Sequence, residues 1–128
     1  DAFAELNPTI GKPVLAGFSQ GGILSFALAT RFPSRFKAVF PISGWLPPAL
    51  IPQEREPGVH YPFMHALHGS EDATVPTQKD RETVAALRAA GIEIDYTEIP
   101  GVAHVVTPEM NQMVRGWILA AIQSTSAE

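Results

Sequence analysis

A parallel α/β sheet of about four strands, with helices on both faces, is the fold class this sequence predicts, and three observations predict it. Short apolar runs of strand length alternate with longer stretches whose apolar residues recur at helical spacing. The order is strand, helix, strand, loop, strand, helix, strand, helix. Parallel strands can be joined only by crossovers, and the helical stretches are long enough to make them.

The four strands are expected at Lys12 to Phe18, Phe36 to Ile42, Pro62 to Leu67 and Ile92 to Ile99, each an apolar run bounded by turn residues. Helices are expected over Gly21 to Arg31, Thr77 to Ala90 and Pro108 to Gln123. Pro33 should end the first, because a proline cannot continue the helical hydrogen-bond ladder. Gly91 should cap the second from the left-handed region, and the tail Ser124 to Glu128 should fray. One long irregular stretch remains, Gly44 to Tyr61, with prolines at 47, 48, 52 and 57. Connections of that length in a compact domain are usually functional or disordered. There are no internal repeats and no low-complexity segment.

A chain of 128 residues, 45% of them hydrophobic, is enough for one domain with a modest core. Its formal charge of -4, with nine basic residues scattered singly, provides no stripe for a phosphate backbone, so no nucleic-acid partner is expected. Zero cysteines remove disulfides, thiolate metal sites and a cysteine nucleophile. No apolar run approaches the length that spans a bilayer. No signal peptide opens the sequence at Asp1, which favours a cytoplasmic location, and the absent initiator methionine points to a processed or trimmed chain.

The chemistry concentrates in the stretch "AGFSQGG", Ala16 to Gly22, where Ser19 lies between a buried strand and a helix. Glycine and serine also punctuate ordinary turns. In this context, however, G-x-S-x-G describes a sharp elbow that lifts a serine hydroxyl above the carboxyl edge of the sheet, with Gly17 and Gly21 sparing a collision with neighbouring backbone. A serine hydroxyl is barely ionised at neutral pH and needs a base, and the base needs a carboxylate to fix its tautomer. Of the four histidines, His60 falls in the proline-rich loop and His65 inside a strand, while His68 reads as part of the turn "LHGSED". His104 lies between the last strand and the last helix, where a base can hang over the sheet edge, although a surface or capping role is open to any single histidine. The spacing of His60, His65 and His68 sends them to differing faces of a strand, so no metal site is expected. Asp72 and Glu71 both follow the third strand, and either could instead be a cap or a solvated turn residue.

"GFSQGG" at 17–22, "HGSEDATVP" at 68–76 and "GVAHVVTPEM" at 101–110 together resemble the three motifs of the carboxylesterase and phospholipase branch of the α/β-hydrolases, which includes acyl-protein thioesterases. Val75-Pro76 after the aspartate and Glu109 after the histidine also fit. The resemblance implies Ser19 as nucleophile, Asp72 as orienting carboxylate and His104 as general base, in the chain order of those hydrolases. It implies hydrolysis of small-molecule carboxylic esters through an acyl-enzyme, or of thioesters or lysophospholipids, with no cofactor. The backbone N–H of Gln20 is then one oxyanion donor. Trp45 and Leu46, with Leu50 and Ile51, form an apolar, proline-stiffened stretch beside the catalytic edge that can wall an acyl chain or serve instead as core or an oligomer contact.

The resemblance covers only the C-terminal portion of such a fold, so residues 1–128 read as one incomplete α/β-hydrolase domain. Members of the branch carry strands before the elbow, including the loop that donates a second oxyanion N–H. Without them the run Pro13 to Phe18 should be an apolar edge, and the chain should form a homo-oligomer or associate with a preceding segment, with full activity depending on that assembly. The alternatives are a truncated fragment that serves as an assembly or binding element, and a non-catalytic α/β module.

Overall fold

The computed structural model describes residues 12–123. Four strands, β1 (Val14–Phe18), β2 (Ala38–Ile42), β3 (Phe63–Gly69) and β4 (Asp95–Ile99), form one parallel sheet in the order β1-β2-β3-β4. The crossovers carry α1 (Gln20–Arg31) and α2 (Thr77–Ala89), and α3 (Pro108–Gln123) follows β4. The expected order of elements is the observed one, and the four-stranded parallel sheet with its flanking helices is consistent with the expected partial α/β-hydrolase core.

Strand alternation divides the core into two layers. Val39, Met64 and Ala66 face Phe26 and Ala29 of α1 and Val84 and Leu87 of α2. Ala38, Phe40, Ile42 and Leu67 face Met110 and Val114 of α3. Helices therefore cover both faces, and β2, buried along its whole length, reads as a continuous apolar run because neither side meets water.

The helix ends follow local chemistry. α1 stops at Arg31, the Phe32 N–H returning to the Leu28 carbonyl before Pro33 opens a short 3-10 turn. α2 closes in a Schellman arrangement: Gly91 (φ 89°) donates to Arg88 and Ile92 to Leu87. That closure corrects the expected start of β4. Ile92 is committed to the helix end and the Ile94 carbonyl accepts the Arg88 guanidinium, so pairing begins only at Asp95. β3 runs two residues further than expected, because His68 and Gly69 pair with Glu98 and Ile99. His68 is thus a buried strand residue and not part of a turn. The long Gly44–Tyr61 connection is not wholly irregular, since Pro48–Leu50 form a 3-10 turn. The expected fraying of Ser124 to Glu128 lies outside the described residues.

Among the described strands, β1 and β4 are the two edges. β4 carries Asp95 and Glu98, whereas β1, Val-Leu-Ala-Gly-Phe, carries no charge.

Candidate active site

The carboxyl ends of β1, β3 and β4 bring three side chains together. Ser19 follows β1 with φ 60° and ψ -114°, a backbone state rare outside glycine. Its N–H donates to the Ile42 carbonyl at 2.9 Å and its own carbonyl accepts from Ile23 at 3.0 Å, so neighbouring strand and opening helix both hold the turn. A Cβ on Gly17 would run into the Gly21 carbonyl and the Ser25 hydroxyl, which explains that glycine. Gly21, however, faces open space; the second crowded glycine is Gly22, pressed against the Ile42 carbonyl and the Gly44 backbone. The helix leaves the elbow in a direction that brings Gly22, and not Gly21, against the end of β2.

Asp72 and His104 come from two loops latched to one another. Gly69 lies flush against the Val102 and Ala103 carbonyls, Glu71 donates to Val102 at 2.8 Å, and Gly101 donates to the Ser70 hydroxyl at 2.8 Å. The Asp72 side chain is buried, its Oδ1 accepting the N–H groups of Thr74 (2.9 Å) and Val75 (2.8 Å). Its Oδ2 lies 2.7 Å from His104 Nδ1, and His104 Nε2 lies 2.8 Å from Ser19 Oγ. A carboxylate only accepts, so Nδ1 carries the proton and Nε2 is left bare to accept the serine O–H. Burial alone would raise the Asp72 carboxyl, but the His104 hydrogen bond, the Val75 N–H and the charges of His104 and His68 outweigh it and hold Asp72 below the usual carboxylate range. Phe18 packs its ring 4.9 Å from the imidazole of His104, a contact that the sequence reading did not anticipate. A base hydrogen-bonded to a hydroxyl, with a buried carboxylate behind it, is an arrangement able to activate an oxygen nucleophile.

Gln20 opens α1, so its N–H belongs to the first turn, where helical amides have no acceptor within the helix. That turn holds no acidic residue, leaving the positive end of the helix uncompensated beside Ser19.

The remaining expectations divide. Leu46 is corrected: at 1% exposure it belongs to the core beside α2, its N–H bonded to the Thr83 hydroxyl, because the chain turns inward immediately after β2. Trp45 keeps a partly open ring, with Lys79 Nζ 4.2 Å from its centroid, and Leu50 is exposed while Ile51 packs on the core. His60 is exposed, and His65 stacks on Trp117 at 3.8 Å while bonding Thr97. Glu71 and Glu109 are exposed. Among the described residues no three His, Cys, Asp or Glu side chains are grouped to hold a metal ion, and no helix is long and apolar enough to cross a membrane.

A family model described as Phospholipase/Carboxylesterase matches residues 8–122. The chain belongs to this phospholipase/carboxylesterase family. Among its relatives, "Probable carboxylesterase SOBER1-like" of Arabidopsis thaliana is 29% identical over 115 residues, which is 88% of this chain and 44% of the relative. "Lysophospholipase-like protein 1" of Mus musculus is 27% identical over 111 residues, 85% of this chain and 46% of the relative. This family member therefore spans about half the length of the curated relatives it matches. In fold it is similar to the crystal structure of Zea mays acyl-protein thioesterase 2, with a TM-score of 0.80 at 24% identity over 94% of this chain and 62% of that one.

Proposed function

We propose that this chain is a serine hydrolase of carboxylic esters, working through an acyl-enzyme on Ser19. The hydrogen bond of 2.8 Å between Ser19 Oγ and His104 Nε2, at a strained turn above the sheet edge, is the observation that carries the reading. Ser19 Oγ attacks the ester carbonyl as its proton passes to His104 Nε2, and the imidazolium so formed is stabilised by Asp72. Collapse of the tetrahedral intermediate breaks the ester C–O bond, and the leaving alkoxide takes the proton from Nε2. Water then attacks the acyl-enzyme with His104 again as base, releasing the acid and restoring Ser19.

The Gln20 N–H supplies one oxyanion donor. Loss of one donor of a pair costs about 10²- to 10³-fold in kcat. We assign the second to whatever pairs with the open edge of β1, either a second copy of this chain or a segment that precedes it. Trp45, beyond β2, is assigned to the acyl side of the substrate. The names of the relatives, a carboxylesterase, a lysophospholipase-like protein and an acyl-protein thioesterase, support acyl-ester chemistry and leave thioesters as the second substrate class.

The test is treatment of the full chain with a serine-directed phosphonate, followed by intact mass and peptide mapping. A single adduct on Ser19, absent from Ser19→Ala, is expected together with turnover of a chromogenic ester. An unlabelled Ser19 sinks the reading.

A further inference from the structure

Behind Asp72 lies a second carboxylate–histidine pair that ester hydrolysis by Ser19 and His104 alone does not use. His68, on β3, is wholly buried. Its Nδ1 lies 2.8 Å from Asp80 Oδ2, on α2, and the Asp80 side chain is also fully buried. Its Nε2 lies 2.7 Å from the Val75 carbonyl and 3.3 Å from Asp72 Oδ2, the same oxygen that accepts from His104. Both ring nitrogens therefore face only oxygens. A carbonyl cannot donate, so Nε2 carries a proton, and a proton must also lie between Nδ1 and Asp80 Oδ2.

The groups around the pair bear on where the second proton sits. Two carboxylates face the ring from opposite sides, Asp72 from the β3–α2 loop and Asp80 from α2. Glu98 on β4 faces Asp80 and is paired with Arg81, and the Tyr96 hydroxyl donates to Glu98 and does not supply a positive charge. His104 reaches the group only through Asp72. Burial opposes charge on His68, yet the Asp80 hydrogen bond, the Val75 carbonyl and both aspartates outweigh it and raise the imidazole. Burial pushes Asp80 up to about 6, and its Oδ1 is buried without a hydrogen-bond partner, the cost of holding this pair in the interior.

We propose that His68 is held as an imidazolium by Asp80 and acts as a positioning residue: it fixes Asp72 Oδ2 towards His104 and partly neutralises it. This rests on the reading of His104 as base. The positive end of the pair points at Asp72 Oδ2, the oxygen that accepts from His104.

Two measurements test it on the full chain. Long-range proton–nitrogen NMR of the wild type at pH 7 should show both ring nitrogens of His68 protonated, whereas a neutral ring with one N–H overturns the proposal regardless of any variant. Asp80→Asn can donate its amide to Nδ1, keeping the Nε2 proton and the shape while leaving His68 uncharged. Its kcat should fall roughly several-fold with KM nearly unchanged, because Asp72 Oδ2 loses the charge that holds it towards His104. A kcat equal to that of the wild type, in a variant of unchanged melting temperature, overturns the proposal. Failure of the hydrolase reading is separate: it shows as an unlabelled Ser19, whatever the state of His68.

Discussion

The Ser19 N–H donates to the Ile42 carbonyl at 2.9 Å, tying a strained turn to the end of the neighbouring strand. Backbone held at φ 60° and ψ -114° costs a non-glycine residue about 1–3 kcal/mol, and persists only where its surroundings over-determine it. Ser19→Gly relieves that strain, although glycine loses more backbone entropy on folding, whereas Ser19→Ala keeps the strain. Both should abolish ester turnover, and the glycine variant should be the more stable by about 1 kcal/mol. Urea midpoints of the two variants check this. An alanine variant as stable as the glycine one would remove the case for stored strain.

His104→Ala and Asp72→Asn should each lower kcat by roughly 10⁴-fold, the second because an amide at Asp72 selects the wrong tautomer of His104. Either change combined with Ser19→Ala should add little, since residues that act as one unit are not additive. Steady-state kinetics on a chromogenic ester decides, and additive losses would mean that the hydrogen-bonded chain does not work as a unit.

The sequence made most of this arrangement legible, because Ser19, Asp72 and His104 each lie in the turn or loop that leaves a strand, and strand ends in a parallel sheet share one edge. What it hid depends on tertiary register. Whether Gly21 or Gly22 meets β2 is set by the direction in which α1 leaves the elbow. Leu46 reads as part of an apolar loop, and only its approach to Thr83, 37 residues later, shows it to be core. The pairing of His68 with Asp80 needs a strand residue and a helix residue on facing surfaces, and no local pattern announces that. A buried histidine beside "HGSED" could have been found had the strand been extended by two residues.

Arg81 hydrogen-bonds to both oxygens of Glu98 and holds it down at about 2, well under its ordinary 4.5, with Tyr96 and Thr77 adding to the effect. A carboxyl whose folded value is depressed contributes stability that is present above its unfolded value and is lost as pH falls through the folded one. The stability difference between wild type and Glu98→Gln should therefore be constant above about pH 5.5 and shrink as pH falls from 4.5 towards 2. Denaturant titrations across that range measure it. A difference that grows on acidification would reverse the sign and reject the pairing as a stabilising one.

Trp45, just beyond β2, remains partly open, whereas Leu46 belongs to the core. Trp45→Ala should alter the preference among acyl chain lengths more than it lowers kcat on the shortest ester, because an apolar wall acts on the part of the acyl chain that reaches it. Hydrolysis rates over a series of straight-chain esters provide the measurement. An equal loss at every length would give Trp45 a structural role, consistent with its contact to Lys79.

The edge of the sheet sets the last prediction. β1 pairs with β2 alone among the described strands, and unlike β4 it has no charged residue to discourage pairing with another chain. Apolar side chains lie exposed around it and on the helices beside the sheet: Phe18 at its end, Leu24 and Phe32 along and just beyond α1, Leu119 and Ile122 on α3. Among the described residues, an uncharged edge strand flanked by such surface fits the association proposed above. A neighbour seated there would adjoin the β1 end from which Ser19 and Gln20 project, the place proposed above for a second oxyanion donor. Association and catalysis should then be coupled. In a dilution series followed by light scattering and ester turnover, specific activity should fall as the assembly dissociates, by up to the 10²- to 10³-fold that one missing donor costs. An added arginine on the open strand, Ala16→Arg, should reproduce that fall at concentrations where the wild type is still assembled. A stable monomer with undiminished specific activity would refute both the association and its part in catalysis, and would require Ser19 to find its oxyanion donors within this chain.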